Sequence, residues 1–185
     1  MIFTETKLKG AFIVDIEPAQ DERGFFARTW CQREFQSHGL NPNLAQCSIS
    51  FNHKRGTLRG MHYQTAPRRE AKLVRCSAGA IYDVIIDLRP DSPTVHQWIS
   101  VELAAKTRRM LYVPEDFAHG FQTLEDHTEV AYQISEFYDP QFARGIRWND
   151  RFFGVQWPSA DRIISARDSA YADFAAWARP RTGKG

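Results

Sequence analysis

The stretch GTLRGMHYQTAPRREAKLVRC, from Gly56 to Cys76, is the most informative part of the chain. Apolar and β-branched residues lie on both sides of a polar turn that contains Pro67, and this pattern predicts two strands of one sheet. Three polar side chains lie on these two segments, namely Arg59, His62 and Lys72. Because strands hold side chains rigidly, this arrangement suits the wall of an active site.

The three residue types form a useful set for chemistry beside a carbonyl group. The arginine can bind an anionic ligand, the imidazole can transfer a proton, and the ammonium can stabilise a developing oxyanion. A structural interpretation competes with this one. Most arginines and lysines in strands face solvent, and a single strand histidine is often a structural residue.

The composition is that of a globular protein with one domain, residues 1–185, of which about 179–185 are expected to form a flexible tail. The chain has 185 residues, of which 43% are hydrophobic and 25% are charged, enough for a substantial core. Its 24 basic and 22 acidic residues nearly cancel, which argues against a nucleic-acid partner. Any attraction for an anionic ligand must therefore be local.

Several features favour a cytoplasmic protein without a membrane partner. No apolar run approaches the ~20 residues that a membrane span needs. The first ten residues, MIFTETKLKG, lack the pattern of a signal peptide. The cysteines are Cys31, Cys47 and Cys76, an odd number without a CxxC pair, which fits reduced thiols and argues against a structural zinc site.

Strand patterns dominate the chain and predict an all-β antiparallel sandwich or barrel. Short helices are expected only near Cys31–His38 and Ser169–Ala178. The predicted strands are Ala11–Ile16, Gly24–Trp30, Gln46–Phe51, Thr57–Tyr63, Lys72–Ser77, Ala80–Leu88, Gln97–Glu102, Arg108–Val113, His119–Leu124 and Thr128–Ser135.

Four more residues outside the opening stretch are candidates for a site. His119 lies in PEDFAHGF, where small neighbours are expected to let the strand approach a ligand closely. Tyr132 and Tyr138 have the same parity, so on a continuous strand both face one cavity; tyrosine can act as a general acid, or simply pack in a β core. Asp168 suits either a helix N-cap or a partner that orients a histidine.

A metal site is the alternative for the histidines, because paired histidines in small barrels often ligate iron or manganese. His62 is followed by Tyr63 and Gln64, where a second histidine would be needed, and the Lys72 cation would repel a metal ion. We therefore expect no metal and no cofactor.

The sequence resembles the dTDP-4-dehydrorhamnose 3,5-epimerase family, a group of metal-independent cupins. The resemblance covers roughly residues 1–170, with all motifs in family order. It implies a cupin-type jelly-roll β-barrel with a few short peripheral helices, and a homodimer that exchanges N-terminal strands. The motifs are DERGFF (21–26), GTLRGMHYQ (56–64), KLVRC (72–76), IYDVIIDLRPDSPT (81–94), VPEDFAHGF (113–121), EVAYQISEFYDP (129–140) and GIRWND (145–150).

The resemblance also implies a role for each catalytic candidate. His62 would remove a proton next to the C4 ketone of a nucleotide-diphosphate sugar, and Asp168 would hold its tautomer. Lys72 would stabilise the C4 enolate, and Tyr132 would return a proton on the opposite face. The net result would be inversion at C3 and C5 of dTDP-4-dehydro-6-deoxy-D-glucose.

The remaining candidates would bind the substrate. The diphosphate would be held by Arg59, Arg23 and Arg167, the sugar or phosphate by His119, the sugar by Phe26, and the base by Tyr138. Strand exchange would place Arg23 and Phe26 in the partner's site. Gln46, Ser48 and Arg28 complete the substrate-binding candidates.

The chain departs from the family pattern at five places. Arg28 stands where glutamate is common, Ala143 replaces an acidic residue, and Ser48 stands where asparagine is common. These three lie at positions associated with the nucleotide. Glu70–Ala71 replaces the frequent GlnGly, and Arg151 replaces a proline.

The departures leave other functions to consider. One is epimerisation of a single centre, C3 or C5, on a sugar carried by CDP or GDP. A second is a non-catalytic cupin that binds sugar nucleotides, although such a protein needs no base and acid on opposite faces of the sugar. A third is a metal-dependent cupin oxygenase.

Overall fold

The computed structural model describes residues 1–174, and these form two β-sheets packed face to face. The expected tail at 179–185 lies outside the described residues. The elements are β1 (Ile2–Glu5), β2 (Phe12–Asp15), β3 (Ala19–Asp21), β4 (Gly24–Phe26), α1 (Gln32–Ser37), β5 (Gln46–Asn52), β6 (Thr57–Gln64), β7 (Lys72–Ala78), β8 (Ala80–Asp87), β9 (Trp98–Ala104), β10 (Met110–Val113), β11 (Phe117–Thr123), β12 (Thr128–Ile134), β13 (Ala143–Gly145), β14 (Ile163–Ile164) and α2 (Ala166–Ser169).

The first sheet has the strand order β1-β2-β10-β7-β12-β5, and the second has the order β13-β6-β11-β8-β9. Within each order neighbouring strands are antiparallel, whereas β14 adds a short parallel pair to β6. Strands β3 and β4 form a separate hairpin. From β5 to β13 the chain alternates between the two sheets at every step except the β8–β9 pair, which is the connectivity of a jelly roll. The predicted all-β, cupin-type fold with a few short peripheral helices is therefore confirmed.

The opening stretch is divided between the two sheets, and here the prediction of two strands of one sheet is wrong. Strand β6 pairs with β11 and β13, whereas β7 pairs with β10 and β12. The turn after Gln64 therefore carries the chain across the sandwich rather than back along the same sheet. As a result, His62 and Lys72 belong to opposite walls of one interior.

Alternating side chains fill the space between the sheets with apolar groups toward one end. This core contains Val74, Val130, Ile81, Leu103 and Phe121, all with almost no exposed surface. Burial of this kind contributes roughly 1.5–3 kcal/mol for each large apolar side chain. The core stops short of the other end, where polar residues replace apolar ones on the same strands.

Two further clusters cover the outer faces of the sheets. Helix α1 lays Phe35 on the first sheet beside Met110 and Tyr112. The C-terminal segment lays Ile146 and Phe153 on the second sheet. No helix among residues 1–174 is long and apolar enough to cross a membrane.

The predicted helix at Cys31–His38 is confirmed as α1, but the one at Ser169–Ala178 is not. Helix α2 begins three residues earlier, because the Ser165 hydroxyl accepts a hydrogen bond from the Asp168 N–H and caps its N-terminus. It ends at Ser169. Residues 175–178 of that prediction lie outside the described part of the chain. The predicted strand at Gly24–Trp30 is short and ends at Phe26.

Candidate active site

A cavity of about 300 Å³ opens at the polar end of the sandwich, between the two sheets. Its walls combine six cationic or imidazole side chains with aromatic and small polar groups. It is lined by Ser48, Ser50, Arg59, His62, Tyr63, Gln64, Glu70, Lys72, His119, Phe121, Tyr132, Ile134, Tyr138, Ala143, Arg144 and Arg167. Most of the predicted site residues therefore meet in one place.

The imidazole of His62 is held by a carboxylate that comes from far along the chain. His62 Nε2 lies 2.8 Å from Asp168 Oδ1, and the other carboxylate oxygen accepts a hydrogen bond from the Gly60 N–H at 3.2 Å. Of the two alternatives for Asp168, the structure shows histidine pairing, because Ser165 is the residue that caps α2. With Nε2 engaged, Nδ1 is the ring nitrogen left for a substrate proton.

The Asp168 carboxylate is stabilised in its charged form. Burial acts to raise its pKa, but hydrogen bonds from His62 and Gly60 and the positive charge of Arg167 outweigh burial. The pKa of Asp168 therefore lies below its ordinary value. A charged carboxylate favours an imidazole that takes up a proton, which is what a general base must do.

Lys72 enters the cavity from the opposite sheet and is buried among polar partners. Its ammonium lies 2.9 Å from Glu70 and 3.4 Å from the main-chain carbonyl of His62. The side chains of Lys72 and Glu70 are only 9% and 10% exposed. A cation fixed in so dry a place interacts strongly with a negative charge that develops nearby.

A second histidine–carboxylate pair lies beside the first. His119 pairs with His62 across β6 and β11, and its Nε2 lies 2.9 Å from Asp83 Oδ2. Burial raises the pKa of Asp83, against the opposing effects of His119 and Lys72. Among the described residues, the other oxygen of Asp83 has no hydrogen-bond partner.

Gly60 and Gly120, which lie next to the two histidine positions, let strands β6 and β11 pack closely together. A Cβ built on Gly60 would lie 2.6 Å from the Gly120 Cα, and one built on Gly120 would lie 2.6 Å from the Met61 sulfur. Both contacts are with the neighbouring strand, so these two glycines are needed for the packing of β6 against β11. The close contact lets β6 and β11 place both imidazoles in one cavity.

Tyr132 comes from β12, on the sheet opposite His62. Its ring meets the His119 ring edge to face, with centroids 6.1 Å apart. Burial raises the pKa of its phenol, the charge of Asp83 adds to this effect, and Arg59 opposes it. The neutral, proton-bearing phenol is therefore favoured.

Tyr138 reaches the same cavity by a different route from the one predicted. Strand β12 ends at Ile134, so a continuous strand does not carry both tyrosines. Instead the Gln46 side chain accepts a hydrogen bond from the Tyr138 N–H at 2.6 Å and fixes the loop. Tyr138 and Tyr171 lie beside Arg167 and raise the pKa of its guanidinium.

Arg59 is anchored at the rim of the cavity. Its Nε donates to the Asn52 side chain at 2.8 Å, which aims the rest of the guanidinium fork. Ser50 lies on β5 in the opposite sheet, the strand that also carries Asn52, and its buried hydroxyl has no partner among residues 1–174.

Comparisons with known proteins agree with this site. Residues 5–176 match the family model described as dTDP-4-dehydrorhamnose 3,5-epimerase. The chain belongs to this family. The enzyme of that name from Salmonella typhimurium is 38% identical, over 92% of this chain and 93% of its own.

Solved structures of family members match the fold closely. The epimerase from Elizabethkingia anophelis is 34% identical, with a TM-score of 0.92 over 95% of this chain and 97% of that chain. The one from Bacillus anthracis, with TDP and PPi bound, is 38% identical, with a TM-score of 0.88 over 92% and 97%.

Three predicted residues of this family member lie outside the cavity of their own chain. Arg23 pairs with Asp21 at 2.6 Å, and the Phe26 ring is 80% exposed on the β3–β4 hairpin. Arg28 forms an ion pair with Glu34 at 2.8 Å. The structure of one chain therefore does not bring these three to the site.

Sequence reasoning misses half of the residues that line the cavity, and also Asp83 and Tyr171 beside it. Asp83 was detectable, because a carboxylate in the apolar strand Ala80–Asp87 needs a buried partner. Glu70 stands out as a departure from the family pattern, but the sequence gives it no role. Arg144 and Tyr171 carry no local signal, since only the packing of the C-terminal segment places them.

No group of three His, Cys, Asp or Glu side chains close enough to hold a metal ion occurs among residues 1–174. The expectation of a metal-free, cofactor-free reaction stays a prediction.

Proposed function

We propose that this protein inverts C3 and C5 of dTDP-4-dehydro-6-deoxy-D-glucose and produces dTDP-4-dehydro-L-rhamnose. The observation that carries this proposal is the placement of a base and an acid on opposite walls. The His62–Asp168 pair lies on the second sheet, Tyr132 lies on the first, and Lys72 shares their cavity. A protein that only binds sugar nucleotides needs no such division.

The reaction begins when His62 removes the proton next to the C4 ketone. Nδ1 takes the proton while Nε2 stays bonded to Asp168, whose lowered pKa keeps the carboxylate charged beside the new imidazolium. The electron pair of the broken C–H bond moves to the C4 oxygen and forms an enolate. Removing a general base typically costs ~10²–10⁴ in rate.

Lys72 then stabilises the enolate oxygen. Its ammonium already lies inside the cavity, 2.9 Å from Glu70, so little reorganisation is needed when the negative charge appears. Glu70 holds the cation in place while the substrate is absent.

Tyr132 completes the inversion by donating its phenolic proton to the opposite face of the same carbon. The raised pKa of this phenol keeps it protonated until that step. His62 loses its proton and Tyr132 regains one through solvent, so each inversion leaves the enzyme unchanged. Two such cycles invert the two centres.

The cationic rim suits the nucleotide diphosphate. Arg59, Arg144 and Arg167 line the cavity, and guanidinium forks bind phosphate oxygens in pairs. His119 is placed to contact the sugar or the phosphate, and Tyr138 to stack on the base. The relatives are named for dTDP sugars, which supports dTDP over the CDP or GDP alternative. Arg28, the departure that could favour another base, forms an ion pair with Glu34 instead.

One incubation tests the function. The protein is mixed with dTDP- and CDP-4-dehydro-6-deoxyglucose in deuterated water, and deuterium at each carbon is followed by NMR. We expect deuterium at C3 and C5 of the dTDP sugar. Incorporation at one carbon only, or only in the CDP sugar, would contradict the proposal.

We also propose that two copies form a dimer that exchanges N-terminal strands. Strand β5 supports this idea, because its inner face is polar while Ile49 and Phe51 on its outer face are 68% and 45% exposed. The hairpin of β3 and β4 is exposed along its whole length. In the dimer, Arg23 and Phe26 would complete the partner's cavity. The proposed location of this enzyme is the cytoplasm.

Complementation tests the strand exchange. His62→Ala and the double variant Arg23→Ala/Phe26→Ala are each expected to be nearly inactive. Unfolded together and refolded as a mixture, they should recover about a quarter of the wild-type activity, since half of the dimers then carry one intact site. A mixture as inactive as its parents would show that the hairpin serves its own chain.

A further inference from the structure

Tyr171 packs against the backbone of Gly145, beside His62, in space that only a glycine leaves open. Its ring lies where a side chain at Gly145 would be: a Cβ built there would meet the ring Cζ at 2.2 Å. Gly145 lies on β13 directly opposite His62 on β6. The glycine therefore admits the tyrosine ring against the strand that carries the base.

The ring contacts the His62 imidazole edge to face. The two centroids are 5.9 Å apart, and the planes are inclined by 71°. This geometry is the preferred one for aromatic pairs. His62 is thus held at two places, by Asp168 through Nε2 and by Tyr171 through the ring, so its plane is fixed relative to the cavity.

The phenol of the same residue holds a cation of the cavity. Tyr171 Oη accepts a hydrogen bond from Arg167 Nε at 3.0 Å, and the guanidinium carbon lies 6.0 Å from the ring centroid. Arg147 anchors the backbone from the other side, because its Nε donates to the Tyr171 carbonyl at 3.2 Å. The tyrosine is therefore itself a fixed support.

We propose that Tyr171 is a positioning residue of this site: its ring orients the base His62, and its phenol orients the substrate-binding cation Arg167. The proposal rests on the proposed epimerase function. In this proposal the ring and the hydroxyl of Tyr171 have different tasks. The ring acts on the proton transfer and so on kcat, and the hydroxyl acts on binding of the anionic substrate and so on KM.

Two substitutions test this separation. Tyr171→Phe keeps the ring and is expected to raise KM about tenfold, as loss of a hydrogen bond to a charged group predicts, with kcat within about twofold. Tyr171→Leu removes the ring and is expected to lower kcat roughly 10- to 100-fold, because small misplacement of a catalytic group is costly.

Tyr112 provides the matched control. Its ring is buried, and its phenol also accepts a hydrogen bond, from the Asn41 N–H at 2.9 Å, but it lies in the cluster under α1. Tyr112→Phe and Tyr112→Leu are expected to lower the melting temperature and to leave both kinetic constants near wild type. If the Tyr171 variants behave like this pair, the residue only packs and the proposal is wrong.

A double-mutant cycle sharpens the ring's part. Gly145→Ala is expected to lower kcat as much as Tyr171→Leu, because the new methyl group displaces the ring. In a Tyr171→Ala background, the same glycine substitution should cost nothing further. An equal loss in both backgrounds would overturn the proposed role of the ring.

Calorimetric binding of dTDP keeps this test apart from the proposed function. If the wild type epimerises no dTDP sugar, the proposed function fails by itself. Tyr171→Phe is still expected to bind dTDP about tenfold more weakly than Tyr112→Phe, since Arg167 is released. Equal binding by the two variants would reject the role of the phenol.

Discussion

The two histidine–aspartate pairs have the same composition and nearly the same separation, yet their surroundings differ. His62 and Asp168 lie 2.8 Å apart, and the imidazole is 39% exposed to the cavity. His119 and Asp83 lie 2.9 Å apart and are 5% and 0% exposed. Their carboxyl pKa values move in opposite directions.

The difference comes from the number of compensating groups. Asp168 receives hydrogen bonds from an imidazole and a backbone N–H, and it lies near the Arg167 cation. Asp83 has one hydrogen-bonded partner, and one of its oxygens is buried without any among the described residues. A buried charge is favoured only where enough partners replace water. The first pair is therefore suited to proton transfer and the second to support.

The sharpest test of this comparison replaces each histidine in turn. His62→Ala is expected to abolish deuterium incorporation, with a loss of at least ~10²–10⁴-fold. His119→Ala is expected to lose less, because it removes a contact to the substrate and not the base. Isotope exchange measured by NMR gives both rates, and circular dichroism checks the fold. Near wild-type turnover by His62→Ala would reverse the assignment of the two pairs.

The second test separates the two faces of the sugar. In Tyr132→Phe, the base remains, so deuterium should still enter next to the ketone. Inversion should fall by ~10²–10⁴-fold, since the acid on the opposite sheet is lost. The exchange rate and the product configuration are read from the same NMR samples. If exchange and inversion fall together, Tyr132 binds or packs and is not the acid.

The third test compares the carboxylates through stability. At pH 7, Asp168→Asn removes a charge-assisted hydrogen bond worth about 1.5–3 kcal/mol. Asp83→Asn mimics the neutral form that burial favours and should cost less. We therefore expect Asp168→Asn to melt at the lower temperature, by roughly 2–4 °C for each kcal/mol of difference. Equal melting temperatures would show that the two environments do not differ.

The two carboxylates should change the free energy of unfolding with pH in opposite directions. Because the pKa of Asp168 is lowered on folding, its contribution to stability is present above the unfolded value of about 3.9 and is lost as the pH falls through the folded pKa. For Asp83 the pKa is raised, so its contribution is present below about 3.9 and is lost as the pH rises toward the folded pKa. The gap between the two asparagine variants should therefore shrink on acidification.

The smallest expected effect is that of a chelator. His62 and His119 each form a hydrogen bond with an aspartate, so a metal ion bound to either pair would have to displace that hydrogen bond. Treatment with a chelator should leave the rate unchanged, and elemental analysis should find no stoichiometric metal. Iron, manganese or zinc lost together with activity would show that one pair is a metal site.

The sequence alone determined the all-β class, the positions of most strands along the chain and half of the residues that line the cavity. Local periodicity encodes strands, and Arg59, His62, Lys72, His119 and Tyr132 lie within strongly patterned segments.

Only the tertiary structure decided how these residues work together. Asp168 lies 106 positions from His62, and no local pattern distinguishes a carboxylate that caps a helix from one that crosses to a histidine. The separation of β6 and β7 into two sheets, the pairing of Glu70 with Lys72 and the position of Tyr171 also follow from packing. Side-chain periodicity specifies which face is buried, whereas the partner across the interior depends on how distant segments meet.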